Sequence, residues 1–326
     1  MRHIIYGAGA VGGVIGARLA QHGRDVVLIA RGEHLEAIQR SGLVLESPQE
    51  RVTLKIPAVA SPSEIDFHVD DVVVLAMKTQ DTEAALTQLA LKAPPRTPIV
   101  CAQNGVENER LALRRFANVY AMAVMVPATH LTAGVVQSNS GTATSAILDT
   151  GRYPVGTDGF VERFTADLEG SGISAKPDAL IMRKKYTKLL MNLGNAYQAA
   201  CGDAPDGRDI VAQARAEGVA CYHAAKIDFS SEEEERARRG SLLSIKPIGG
   251  QRRGGGSSWQ SLARGHSTIE ADYLNGEIVL LGALHGVPTP VNRVLQRVAN
   301  RLAAARSAPG SMTVEDLRAE IAAAAP

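Results

Sequence analysis

In the first half of the chain, short β-branched runs alternate with stretches whose apolar residues recur at helical spacing, the pattern of a parallel α/β sheet. Residues 3–9 (HIIYGAG) predict a strand and turn, and residues 10–23 a helix ended by Gly23. Residues 25–31 (DVVLIAR) predict a second strand and residues 33–42 a helix ended by Gly42. A buried strand at 70–78 (DDVVVLAMK), a helix at 81–93 and a strand at 97–105 (TPIVCAQNG) follow. Residues 119–138 and 142–149 read as further strands of antiparallel character, ahead of a helix at 160–170. From Asp178 onward the strand pattern gives way to long helical segments at 179–202, 210–227, 269–287 and 292–307. Lys176-Pro177-Asp178 supplies a break, so the expected organisation is an α/β domain over 1–178 and an all-helical domain over 179–326.

Composition narrows the function classes. A length of 326 residues suits two domains, and 45% hydrophobic with 21% charged residues describes a globular protein. A formal charge of +1 and 4% aromatics give no electrostatic or stacking case for nucleic acid. Cys101, Cys201 and Cys221 are far apart, and the eight histidines form no ligand cluster, so neither a disulfide framework nor a metal site is expected. No secretory leader pattern opens the chain, and the apolar runs are too short for a bilayer, which gives a cytoplasmic expectation with no membrane partner. Oligomeric state is not legible; a homodimer is one arrangement left open.

The turn after the first strand carries chemistry. Gly7, Gly9 and Gly12 stand in G-x-G-x-x-G spacing, interleaved with Ala8, Ala10 and Val11, between a strand and a helix. Gly7 allows the tight turn, Gly9 the approach of a pyrophosphate to backbone, and Gly12 close packing of helix on strand. A dinucleotide is expected there. At the end of the second strand, where an acid would select NAD, the chain has Arg31, whose guanidinium suits a 2′-phosphate. The expected cofactor is NADP(H).

Lys78 and Asn104 stand at the ends of predicted parallel strands, where such sheets bind ligands; both also suit plain loop or turn roles. In KYTKLLMNLGNAYQ (185–198), Lys188, Asn192 and Asn195 fall within a stripe about 60° wide at 100° per residue. Such a stripe is either a solvated face or a reactive one, and Lys184 and Lys185 upstream read as solvated. The acidic run Glu232 to Glu235 also reads as a solvated helix face, and the triple glycine in QRRGGGSS as a mobile linker or lid over 251–258. Ser267 and Glu270 have capping-box spacing, and Ser258 can cap a following helix.

With GAGAVGG, Arg31, the Lys78-Thr79-Gln80 and Gln103-Asn104-Gly105 loops, the Lys188–Asn192 pair and SSWQSLARGHSTIEADYLNGE (257–277), the chain resembles the ketopantoate reductase family over nearly its whole length. The resemblance implies a Rossmann-like NADP-binding domain, an all-α C-terminal domain and an active site in the cleft between them. It implies reduction of ketopantoate, a small 2-keto acid, to (R)-pantoate by NADPH. Lys188 would be the general acid and Glu270 a carboxylate at the reacting end. Asn192 and Ser258 would hold substrate, and Lys78 and Asn104 would lie near nicotinamide riboside and substrate. A cationic donor fits hydride addition, which builds negative charge on the carbonyl oxygen. Two positions depart from the family pattern. Ala196 stands where a second asparagine is common, with Asn195 one residue earlier, and Leu262 replaces a substrate-contacting aspartate.

Overall fold

The computed structural model describes residues 1–141 and 143–324. The chain divides into two compact units, Met1–Lys185 with Ser230–Arg253, and Tyr186–Phe229 with Gly254–Pro326, the last two residues lying outside the described range. The division differs from a single boundary at 178. It falls inside the helix Ile181–Asn192, and the chain returns to the first unit for Ser230–Arg253.

The first unit contains β1 (Arg2–Tyr6), β2 (Asp25–Ile29), β3 (Leu43–Glu46), β4 (Arg51–Leu54), β5 (Ala58–Val59), β6 (Asp71–Leu75), β7 (Ile99–Cys101), β8 (Val119–Met122), β9 (Ala128–Thr129), β10 (Val135–Ser138) and β11 (Thr150–Arg152). A seven-stranded sheet has the order β11-β8-β7-β6-β1-β2-β5, parallel except for β11 against β8. Every residue of β6 is buried, as expected for a central parallel strand covered on both faces. The helix Ala10–Gln21 lies close on this sheet, since a Cβ at Gly16 would come 2.8 Å from Leu28 Cδ2. A four-stranded sheet of order β4-β3-β10-β9 includes the hairpin pairing Leu43 with Leu54, and the polar–apolar alternation of RVTLKI (51–56) is a strand signal missing from the expectations above. β8 pairs parallel to β7, contrary to the antiparallel expectation. The strand expected at 142–149 does not form: Ile147 makes single bridges to Met125 and Ser174, and Thr142 lies outside the described residues.

Ser230–Arg253 joins the first unit through charge. Helix Glu232–Arg239 buries no residue, and its acidic first turn and basic last turn complement the helix dipole. Arg238 nevertheless binds Asp149 in bidentate fashion at 2.8 and 2.6 Å, and Lys184 reaches the same carboxylate at 2.7 Å. Burial alone would raise the Asp149 carboxyl, yet these hydrogen bonds outweigh it and hold the group below its ordinary range. Ser244 and Lys246 extend the docking by backbone bonds to Gly141 and Asn139.

The second unit is helical, built from Gly194–Cys201, Arg208–Ala224, Ser257–Ala263, Asn275–His285, Pro290–Ala304 and Val314–Ala323. The segment read as one helix over 179–202 is two, broken at Leu193. There Asn275 Nδ2 donates to the Leu193 carbonyl at 3.1 Å and to Asn292 Oδ1 at 2.9 Å, so a buried side chain takes an acceptor at the break. The segment at 269–287 likewise divides at Leu274 into a 3₁₀ turn, Glu270–Tyr273, and a helix. Among the described residues no helix is long and apolar enough to cross a membrane.

Candidate active site

Four of the expected cofactor positions follow the carboxyl ends of β1, β2, β6 and β7, which are adjacent in the sheet. Gly7 follows β1, Arg31 follows β2, Lys78 follows β6 and Asn104 follows β7. A parallel sheet sends all its strands out at one edge, so residues distant in sequence collect there.

The three motif glycines answer to different constraints. Gly7 has φ +103°, and a Cβ would lie 2.7 Å from the Met77 amide nitrogen. At Gly12 a Cβ would overlap the Gly7 carbonyl oxygen and come 2.8 Å from Ala76 Cβ. Gly9 is different: a Cβ there would meet no protein atom within 4 Å, and φ is −70°. Nothing in the fold demands glycine at position 9. The open space lies at the N-cap of the helix Ala10–Gln21, which has no side-chain cap and no acid in its first turn. That is the space a pyrophosphate would need beside backbone N–H groups. Ala8 is buried, and Ala10 and Val11 begin the helix.

Arg31 is the N-cap residue of the helix Gly32–Ser41, with its side chain 82% exposed and 3.1 Å from Asp81. Lys78 caps the helix Thr79–Ala90 without a side-chain cap bond. Beneath the Lys78 and Asn104 loops runs a buried polar ladder. Gln103 Nε2 donates to the Met77 carbonyl at 3.1 Å and to Thr82 Oγ1 at 2.8 Å. Thr82 donates to Asn108 Oδ1 at 2.8 Å, and Asn108 Nδ2 donates to Thr79 Oγ1 and to the Asn104 carbonyl.

The ladder rests on an ion pair. Lys185 Nζ lies 2.6 Å from Glu109 Oε1, with side-chain exposures of 2% and 0%, and donates to the Gln103 carbonyl at 3.0 Å. Burial raises the Glu109 carboxyl above the usual carboxylate range, against the opposing pull of the Lys185 charge. Lys184, too, is paired, to Asp149 and Asp178 at 2.7 Å. Neither lysine is the solvated side of a helix. Asp149 and Glu109 are distant in sequence, so periodicity alone could not reveal them.

In the second unit Lys188 is half-buried and Asn192 buried, one turn apart on the helix Ile181–Asn192. The break at Leu193 removes Asn195 from that stripe and places it on the helix Gly194–Cys201. Its side chain faces Gly256, where a Cβ would come 3.1 Å from Asn195 Oδ1. Gly256, not Ser258, is the N-cap of the helix Ser257–Ala263, and Ser258 is buried inside its first turn. Glu270 is buried at the start of the 3₁₀ turn, which has no side-chain cap, so the capping-box pattern from Ser267 does not form there. The triple glycine is a close packing. Cβ atoms at Gly254 and Gly255 would strike the Trp259 ring, at 2.7 Å from Cζ3 and 2.9 Å from Cδ1, and Gln198 Oε1 accepts the Gly256 N–H at 2.6 Å. Leu262 and Ala196, the two departures from the family pattern, are both buried.

Comparison with known proteins agrees with the fold. Residues 3–147 match the family described as Ketopantoate reductase PanE/ApbA, and residues 180–303 match its C-terminal part. The chain belongs to the ketopantoate reductase family. Family membership makes it an oxidoreductase acting on a CH–OH/C=O group. The 2-dehydropantoate 2-reductase of Pyrococcus horikoshii is 29% identical over 305 residues, covering 90% of this chain and 95% of that protein. A crystal structure of a PanE/ApbA family ketopantoate reductase from Ralstonia eutropha superimposes with a TM-score of 0.77 at 26% identity, covering 94% and 99% of the two chains. A D-mandelate dehydrogenase solved with NADH and anilino(oxo)acetate gives a TM-score of 0.80 at 25% identity over the same shares.

The polar ladder was not legible in the sequence, although Gln103 stands in the quoted Gln103-Asn104-Gly105 loop. Thr82, Gln103 and Asn108 are polar positions in a predicted helix, at a predicted strand end and in a loop, and only their joint burial reveals the ladder. His34 was the more legible omission. It stands three residues after Arg31, and its Nε2 lies 2.8 Å from the Ala8 carbonyl.

Proposed function

We propose that the protein catalyses NADPH-dependent reduction of 2-dehydropantoate to (R)-pantoate. The observation that carries the cofactor part is the contrast among the motif glycines: Gly7 and Gly12 are required by packing, while Gly9 leaves open space at an uncapped helix start. NADPH would supply the hydride when bound. In this reading Gly7 through Gly12 hold the pyrophosphate, Arg31 pairs with the 2′-phosphate, and Lys78 and Asn104 serve the nicotinamide end. Arg31 would exchange its exposed contact with Asp81 for the phosphate, a stronger charge-assisted partner.

Lys188 would give its proton to the carbonyl oxygen as negative charge develops there, and Glu270 would orient the reacting end. Asn192 and Ser258 would hold the keto acid. The relatives named 2-dehydropantoate 2-reductase support the substrate. The test is NADPH oxidation over a panel of 2-keto acids that includes ketopantoate, with wild type and K188A in parallel. Ketopantoate should accelerate oxidation in wild type, and K188A should lose turnover while still binding NADPH. Equal rates in the two proteins would defeat the role of Lys188.

One observation favours a second substrate reading. Leu262 and Ala196 put buried apolar surface where the family commonly offers an aspartate and an asparagine. Those groups would recognise a hydroxyl, so their loss suits a keto acid with an apolar substituent. A related scaffold, D-mandelate dehydrogenase, serves a different hydroxy acid. Activity on an apolar 2-keto acid with none on ketopantoate would select this reading.

A further inference from the structure

His34 lies in the first turn of the helix Gly32–Ser41 and makes two contacts with backbone. Its Nδ1 accepts the N–H of Gly134 at 2.9 Å, and its Nε2 lies 2.8 Å from the carbonyl oxygen of Ala8. An amide N–H can only donate and a carbonyl can only accept. The ring must therefore be neutral, with its proton on Nε2. The other neutral tautomer would set donor against donor at Gly134 and acceptor against acceptor at Ala8. The doubly protonated ring would keep the Ala8 bond and lose the Gly134 bond.

Both anchor points are constrained. Gly134 has φ +77°, in the left-handed region, and a Cβ there would come 2.9 Å from the Ala37 side chain, so this turn sits tightly on the helix that carries His34. Ala8 is buried, and its own N–H donates to the Ile29 carbonyl at 3.3 Å. The Ala8 carbonyl shares a peptide plane with the Gly9 N–H, and in a trans peptide the two point in opposite directions. Fixing one fixes the other.

We propose that His34 is a positioning residue for the dinucleotide turn, acting as the neutral Nε2–H tautomer that ties the Ala8 carbonyl to the Gly134 turn and thereby sets the direction of the Gly9 N–H. The proposal rests on the cofactor assignment made above. Protonation would leave the ring bonded to Ala8 but cut it from the Gly134 turn, so the carbonyl would lose its fixed anchor and dinucleotide affinity then depends on the protonation state of this ring. The titratable group facing it from the 130–135 loop is His130, with ring centroids 4.2 Å apart and Nδ1 2.9 Å from the Val135 carbonyl. The glycine turn carries no titratable side chain, and Arg31 at the N-cap of His34's helix and Glu33, Glu36 and Arg40 on it are all exposed.

The test combines calorimetric titration with NADPH and with NADH, from pH 5.5 to 8.5, on wild type, H34Q, H34F and H130F. NADH lacks the 2′-phosphate, so its pH dependence is free of that group's titration. Wild type should bind NADH more weakly as pH falls through the imidazole range. H34Q keeps a donor near the Nε2 position and does not titrate, so it should bind near the alkaline wild-type level at every pH. H34F should bind on the order of tenfold more weakly, the loss expected for about one net hydrogen bond. H130F should keep the wild-type pH step. Long-range ¹H–¹⁵N NMR of the free protein should show His34 protonated at Nε2 alone near pH 8. An Nδ1–H tautomer, or a pH step unchanged in H34Q, would overturn the role of His34 while leaving the cofactor assignment standing. Wild type binding neither dinucleotide at any pH would remove the cofactor assignment and this proposal with it.

Discussion

Replacing Lys185 by methionine keeps most of the side-chain volume and removes the ammonium that lies 2.6 Å from Glu109 Oε1. Both partners are buried, so little water is available to take over. Removing one member of such a pair costs about 3–5 kcal/mol, because the other charge is left without compensation. The Gln103 carbonyl also loses its donor, yet the total stays near the lower end, about 3 kcal/mol, since the carboxyl can take a proton instead of remaining charged. Burial already raises the Glu109 carboxyl above its ordinary range, and Lys185 works against that rise. Without Lys185 it rises further. A carboxyl whose folded-state value is raised binds its proton more tightly in the folded protein than in the unfolded chain. Its stabilising share is therefore present at low pH and lost as pH rises through the folded-state value. K185M should accordingly lie further below wild type at pH 7.5 than at pH 5.5, measured by urea unfolding followed by far-UV circular dichroism. The double variant K185M/E109L should recover most of the loss, because apolar replacement of both partners is close to neutral. A K185M deficit under about 0.5 kcal/mol, the size of an ordinary surface change, would refute the reasoning. So would a deficit that grows as pH falls.

G9A should melt near wild type, because its Cβ meets no protein atom, yet bind NADPH on the order of tenfold or more weakly; G12A should lose thermal stability before binding is tested. R31D should weaken NADPH far more than NADH in parallel titrations, and unchanged relative affinities would sink the 2′-phosphate assignment. G255A should cost about 1–3 kcal/mol by overpacking against Trp259, and should shift the emission of that residue, the protein's single tryptophan.

The parallel sheet was legible because its signals are local. β1, β2, β6 and β7 are short apolar runs closed by Gly, Arg, Lys or Asn, and one edge of one sheet then gathers those closing residues. The elements that went wrong depend on partners elsewhere in the chain. Leu193 looks like any helical leucine until Asn275 takes its carbonyl. Lys184 and Lys185 look solvated until Asp149, Asp178 and Glu109 are brought beside them. The glycines at 254–256 look like a linker, because the ring that excludes a Cβ belongs to Trp259, which pattern reading treats as an ordinary helix residue. For the site, residue types and spacings pointed to the proposed reacting groups only through the family resemblance. The buried ladder beneath the Lys78 and Asn104 loops is less legible, since Thr82 and Asn108 carry no such signature.

The return of Ser230–Arg253 to the first unit has a consequence for how the chain is made. At a synthesis rate of roughly 5–20 residues per second, the ribosome needs on the order of several seconds to travel from Lys185 to Arg253. Throughout that interval Asp149 has its bonds from Lys184 and the Lys176 N–H within reach but lacks the arginine that completes its site. The N-terminal half is therefore an unfinished folding unit when its own last strand emerges. A truncation at the end of the strand-rich region should yield a chain that chaperones retain more than one extended past Arg253, which includes the Arg238 partner of Asp149.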